Sequence, residues 1–382
     1  MNSDQLVNLG NDCRSKDQYN DALKYYAQAF VNDPLNIDAW NNYGNVLREI
    51  GEPKRAKPFL EHACVVKPDF VTAQFNLSIA ALLAGDYDYG WKQYEWRWQY
   101  EHLAGTKPQT SRPEWQGEDL KGKTILVWAE QGLGDTIQFS RFLYDLHVKG
   151  AEILFVCMSG LVPLFQPSHL IKQCTDDTNT LGDFDYWIPM MSLPKVLGVT
   201  LDTLRHELSY VESQPEYISQ WSARLGVKNN MRIGICWSGR KDNWVNKYKG
   251  VPVEYFVDLA NKFPQHDWIS LQAEVYDHED EKIKNSTIKT FPGTINTWAD
   301  TAGLIHHLDL VISIDTSIAH LAGAMGRPTW IPLTKFAVDW RWGLGINRTP
   351  WYPSARLFRQ SDFGDWNTVF GGMEKYLTMF KI

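Results

Sequence analysis

No stretch of this chain stays apolar for the roughly 18 residues that a membrane-crossing helix needs, so no membrane span is expected. The first residues, Met1-Asn2-Ser3-Asp4-Gln5, lack the charged-then-apolar pattern of a secretion signal, and the expected location is the cytoplasm. Basic charge is in deficit: the formal net charge is -7 over 382 residues, which argues against a general affinity for nucleic acid or an anionic membrane. Cysteine is scarce and poorly spaced for chemistry. Cys13, Cys64, Cys157, Cys174 and Cys236 are scattered, odd in number and without Cys-x-x-Cys pairs, so they read as reduced thiols. No carboxylate pair has metal-ligand spacing either, and no metal is expected.

Two further absences concern glycine. The turn Glu130-Gln131-Gly132-Leu133-Gly134-Asp135-Thr136 begins like a dinucleotide fingerprint, but Ile137 stands where the third glycine belongs, and no Gly-Lys-Ser/Thr follows. Nicotinamide and P-loop chemistry are therefore disfavoured, since both need the missing residues to seat phosphates. What remains is a glycine turn that allows close backbone approach, free amides at a helix start, and a carboxylate, Asp135, which either faces a ligand or caps its own helix.

With 44% hydrophobic and 22% charged residues the chain is of globular composition, and its length calls for two or three domains. The first hundred residues repeat. A shift of 34 superposes Gly10 on Gly44, Ala22 on Ala56, Ala29 on Ala63 and Pro34 on Pro68, and 34 is the tetratricopeptide period of stacked helix pairs. Small Gly44 and Ala56 let two helices approach, while Pro34 and Pro68 separate one pair from the next. A third copy from Gln74 to about Tyr100 turns aromatic at Trp91, Tyr94, Trp96 and Trp98, as a cap that docks on the next domain. Such arrays present a concave surface. This one either recruits a protein through its groove, or caps or dimerises the rest as a homo-oligomer.

The proposed organisation is repeats over 1–100, a linker over 101–122 rich in glycine and proline, a first α/β domain over 123–228 and a second over 229–382, its final segment packing back on the first. In the first, Thr124 to Ala129 is a buried parallel strand, and Phe139, Phe142, Leu143 and Leu146 give the following helix one apolar face. Asp135 sits between them, at a strand-to-helix turn where open α/β sheets bind ligands. In the second, the strand Arg232 to Trp237 leads into a basic loop, Ser238 to Lys249, with Arg240, Lys241, Lys247 and Lys249 against Asp242. Such a loop suits a diphosphate. The strand Leu310 to Ile314 ends at Asp315-Thr316-Ser317, and a helix carrying His320 follows. Its first amides and dipole favour an anion.

These motifs together, Trp128 to Phe139, Asp309 to Gly323, Asp339-Trp340-Arg341-Trp342 and Pro350-Trp351-Tyr352-Pro353, resemble bacterial tetratricopeptide-repeat proteins with a heptosyltransferase-like, family 9 glycosyltransferase domain. Such proteins are similar in architecture to O-linked N-acetylglucosamine transferases, and some are linked to flagellin glycosylation. The resemblance implies a GT-B fold of two Rossmann-like domains, acceptor side first and nucleotide-sugar side second. It makes Asp135 the general base, with Gln131, Gly132 and Gly134 on the acceptor side of the turn. The Asp-Thr-Gly/Ala-x-x-His donor segment matches Asp315, Thr316, Ser317 and His320, Ser317 departing from the usual small residue. The donor-loop lysine is Lys249 or Lys247, and Trp237 and Ser238, where that loop begins, are expected to bind the donor with it. The implied reaction is an inverting, metal-independent sugar transfer, with the nucleotide sugar as substrate and no cofactor. A repeat scaffold with an inactive remnant competes with it; a nucleotide-sugar epimerase, a weaker rival, would not need the repeats.

Overall fold

The computed structural model describes residues 1–100, 107–206, 209–239, 246–272, 274–275 and 277–380. Three helix pairs come first: α1 (Ser3–Ser15) with α2 (Tyr19–Asn32), α3 (Ile37–Glu49) with α4 (Pro53–Val66), and α5 (Val71–Leu83) with α6 (Tyr87–Tyr94), the last running into a 3-10 turn, Glu95–Gln99. First helices start at Ser3, Ile37 and Val71 and second helices at Tyr19, Pro53 and Tyr87, a step of 34 residues each time. Equivalent positions do equivalent work: Asn2 and Asn36 cap α1 and α3, and Trp40 and Gln74 each donate to the carbonyl of the preceding proline, Pro34 and Pro68. Gly44 is required by close approach. A Cβ there would stand 2.7 Å from Leu60 Cγ and 3.2 Å from the Ala56 carbonyl.

The turns inside the pairs form a row at Asp17, Gly51 and Gly85, all at positive φ (60°, 86° and 86°). Two segments from far along the chain, Pro194–Leu204 and Lys335–Ile346, belong to this compact unit. Phe336 stacks on Tyr19 at 4.4 Å, the Ala337 amide donates to the Glu49 carbonyl at 2.8 Å, Leu344 meets Gly51 and Leu201 meets Gly85. Trp340 lies edge-on to Tyr87 and Trp91. The aromatic third repeat is thus covered by a segment numbered within the second α/β half. Beneath this edge the Glu49 carboxylate, almost fully buried, is held by Arg14 at 2.5 and 3.0 Å and by Asn45. Pairing and hydrogen bonding offset the cost of burying that charge.

The second compact unit contains two open, parallel sheets. The first runs β3-β2-β1-β4, with β1 Thr124–Trp128, β2 Glu152–Val156, β3 Gln173–Thr175 and β4 Tyr186–Pro189. The second runs β6-β5-β7-β8-β9, with β5 Arg232–Cys236, β6 Asp267–Ser270, β7 Leu310–Ser313, β8 Thr329–Leu333 and β9 Ala355–Arg359. Strand order reverses beside β1 in one sheet and between β5 and β7 in the other. These are the places where the carboxyl ends of strands open a crevice for ligands.

Three departures from the sequence reading have local causes. The helix expected from Phe139 to Leu146 breaks into α7 (Leu133–Phe139) and α8 (Phe142–Val148). Ser140 Oγ donates back to the Ile137 carbonyl and Arg141 Nε to that of Gln138, which competes with the helical ladder. The end of the linker is sheet edge: Trp115, buried, donates its amide to the Trp187 carbonyl beside β4. The closing helix Trp366–Met379 does not return to the first half. Trp366, Val369, Phe370, Met373 and Leu377 pack into the core of the second sheet with Phe256, Trp330 and Phe358, because its apolar face matches the β9 side of that sheet.

Candidate functional site

β1 ends at Trp128 and the chain turns through Gly132 into α7. The Gly132 amide donates to Asp135 Oδ2 at 3.1 Å, and Thr136 Oγ1 donates to the Gly132 carbonyl, so the carboxylate is fixed at the helix start by its own turn. Upstream, the Glu130 carboxylate accepts from the Met191 amide at 3.2 Å, tying the turn to the end of β4. Gln131 and Asp135 are half-buried and Gly134 is buried.

The second cluster gathers at the ends of β5 and β7. Asp315 stands between two cationic or proton-bearing groups, with Lys249 Nζ at 3.8 Å from Oδ2 and His320 Nε2 at 3.9 Å from Oδ1. Thr316 caps the helix Ser317–Ala324 in extended backbone, and its hydroxyl lies 3.0 Å from Ser313 Oγ. His320 is buried, 6% exposed, and its Nδ1 lies 2.7 Å from the Tyr352 hydroxyl.

The two clusters meet through the missing side chain of Gly134. A Cβ at that position would stand 2.8 Å from His320 Cδ2 and 3.5 Å from both His320 Nε2 and Ser317 Oγ. The first turn of α7 therefore rests on the first turn of the Ser317–Ala324 helix. Asp315 has Lys249 at 3.8 Å and His320 at 3.9 Å, and the turn that carries Asp135 meets His320 and Ser317 through Gly134.

Other expected residues do not join them. Lys247 is exposed, its ammonium over the Tyr248 ring at 4.9 Å, which leaves Lys249 as the lysine at Asp315. Trp237 is a correction: its ring is wholly buried in the core of the second sheet and its indole N–H donates to Glu279 at 3.0 Å. An indole packs where the apolar surface is, and its one polar atom already has a partner. Ser238 is held by Gln272, whose amide nitrogen donates to Ser238 Oγ and whose Oε1 accepts from the Trp237 and Ser238 amides. Arg240, Lys241 and Asp242 lie outside the described residues.

Sequence reasoning gave no role to Gln272, Asn246, Arg141 or Tyr352. Gln272 follows β6 at the ligand-binding edge of the sheet, a position that could have flagged it. Asn246 accepts from the Gly239 amide at 2.8 Å across the basic loop. Cys236, beneath the cluster, is no nucleophile: burial pushes its thiol up to about 11, so it stays protonated near neutrality. Among the described residues, no group of three His, Cys, Asp or Glu side chains is placed to hold a metal ion, and no helix is long and apolar enough to cross a membrane.

Two parallel sheets whose crevice-forming ends converge in this way define the GT-B class of fold, here behind tetratricopeptide-like helix pairs. More particularly, it is the fold of the family 9 glycosyltransferases. The chain is similar to the glycosyl transferase family 9 protein of Veillonella parvula, with a TM-score of 0.50 and 16% identity over 68% of this chain and 92% of that one. It is similar to the ADP-heptose LPS heptosyltransferase II of E. coli, with a TM-score of 0.51 and 14% identity over 67% of this chain and 99% of that one. It is also similar along nearly its whole length to Protein FlbA of Caulobacter vibrioides, at 24% identity over 98% of this chain and 72% of that protein. No protein-family profile matches the chain.

Proposed function

We propose that the protein is a glycosyltransferase that moves a sugar from a nucleotide-sugar donor to an acceptor hydroxyl, with inversion and without a metal. The observation that carries the reading is the contact of the Gly134 turn with His320 and Ser317. It sets a carboxylate-bearing helix start against a segment whose lysine, imidazole and helix amides suit a diphosphate. Asp135 takes the proton of the acceptor hydroxyl as that oxygen attacks the anomeric carbon. The bond from that carbon to the diphosphate oxygen breaks, and the charge left on the phosphate is met by Lys249, by His320 Nε2 and by the amides of Thr316 and Ser317. Asp315 holds Lys249 and His320 at a spacing near 4 Å on either side.

The acceptor in this reading is a protein hydroxyl presented in the cytoplasm and recruited by the helix pairs, with flagellin the first candidate to test on the strength of the sequence resemblance. The decisive experiment pairs binding with turnover. Calorimetry with a panel of nucleoside diphosphates and nucleotide sugars should find a ligand for the wild type. Asp135→Asn should keep that affinity within about threefold while turnover falls by roughly 10²–10⁴, the range for loss of a general base. A fully active Asp135→Asn protein would remove the base from the mechanism. Absence of binding by every nucleotide would leave the scaffold reading in its place.

A further inference from the structure

The Pro350-Trp351-Tyr352-Pro353 motif enters none of the steps above, yet it is built into the site. Tyr352 is 1% exposed and its hydroxyl lies 2.7 Å from His320 Nδ1. The ring is seated by the absence of a side chain at Gly323, where a Cβ would stand 2.5 Å from Tyr352 Cδ1. The loop is gripped from the first sheet's side of the unit by Arg141, which the break between α7 and α8 turns inward. Its Nη2 donates to the Trp351 carbonyl at 2.6 Å and to the Tyr210 hydroxyl at 3.1 Å, and its guanidinium lies 5.3 Å from the Tyr352 ring centre.

An imidazole hydrogen-bonded at one nitrogen has the tautomer of the other decided for it. We propose that Tyr352 is a positioning residue: its hydroxyl donates to Nδ1 and so keeps the ring hydrogen on Nε2. That nitrogen points to Asp315 Oδ1 and, through Gly134, to the start of α7. In this state His320 presents an N–H to the leaving diphosphate, and Asp315 orients it. With the opposite tautomer Nε2 would carry a lone pair and repel a phosphate oxygen. Arg141 matters through Tyr352, by fixing the carbonyl that precedes it. The tautomer is argued from the contacts of His320 with Tyr352 and Asp315; its catalytic consequence rests on the glycosyltransferase reading.

Tyr352→Phe tests this, since it removes one oxygen and leaves the packed ring. The direct measurement is the ¹⁵N spectrum of histidine-labelled protein near pH 8, with the His320 signals assigned by their loss in His320→Gln. The wild type should show Nε2 protonated and Nδ1 bare, and Tyr352→Phe should show a mixture or the reverse. A wild-type ring protonated at Nδ1, or the same tautomer in both proteins, overturns the proposal. In the transfer assay Tyr352→Phe should lower kcat about tenfold, the scale of one lost hydrogen bond, with donor KM within about twofold. Added to His320→Gln, it should cost nothing more, because both changes act on one interaction. Equal losses on both backgrounds would mean a role apart from His320. Should the wild type turn over no nucleotide sugar at all, the glycosyltransferase reading falls and the spectrum still decides the tautomer.

Discussion

Position 134 is glycine because a ring from another helix occupies the space of a side chain. Gly134→Ala brings a methyl to 2.8 Å from His320 Cδ2, so either the ring or the α7 turn must shift. The expected cost is about 1–3 kcal/mol of stability, the range for an overpacked site. Activity should fall more than stability does, because the displaced ring is the proposed phosphate donor; urea unfolding beside a transfer assay separates the two. Asp135, Asp315 and His320 were legible in the sequence because each lies within a few residues of a strand end and a helix start. Tyr352 was visible as a motif but not as a partner. Its hydrogen bond spans 32 residues and exists only once β8 and β9 have brought the loop back. Trp237 misled because adjacency to a loop in sequence says nothing of which way a ring packs.

At the level of elements, the helix pairs were the most legible, since their period is written in small residues and prolines. Gly44→Val should destabilise the protein by about 1–3 kcal/mol through the same overpacking, with a lower midpoint in urea as the readout. The break between α7 and α8 was hidden, because the apolar spacing continues across it while Ser140 and Arg141 bend the backbone. The two sheets share a device that the sequence did not announce. Asp185, just before β4, accepts from the Thr124 amide that opens β1; Asp309, just before β7, accepts from the Arg232 amide that opens β5. A lysine joins each carboxylate, Lys123 in the first and Lys228 in the second. The Thr124 amide first, then Lys123, holds the Asp185 carboxyl below the ordinary aspartate value. A carboxyl depressed in the native state stabilises the fold above its unfolded value, near pH 4, and that contribution disappears as pH falls through the native value. Asp185→Asn should therefore lower Tm at pH 7, and the gap to wild type should close on acidification toward pH 2. A gap that stays constant with pH would assign the loss to geometry instead of charge.

For the molecule as a whole, the boundaries drawn from sequence divide the chain once at each joint, whereas the repeat unit takes its residues from three separate stretches. Composition and periodicity register neighbours along the chain, and no local pattern marks 194–204 or 335–346 as belonging with the first hundred residues. Trp340→Ala removes the ring that lies edge-on to Tyr87 and Trp91, and should cost about 3–5 kcal/mol, the range for truncating a buried tryptophan. Native-state hydrogen exchange should place that loss in α5 and α6.

The row of turns at Asp17, Gly51 and Gly85 has a consequence in time. The helix pairs leave the ribosome first, but the side chains that cover their edge, Phe336, Trp340 and Leu344, are made more than 200 residues later. At about 5–20 residues per second that is an interval on the order of tens of seconds. During it the nascent array carries an uncovered aromatic edge, so a ribosome-bound chain stalled at residue 330 should be cut by protease at α6 and hold chaperones that a chain extended until residue 346 has cleared the ribosomal exit tunnel releases.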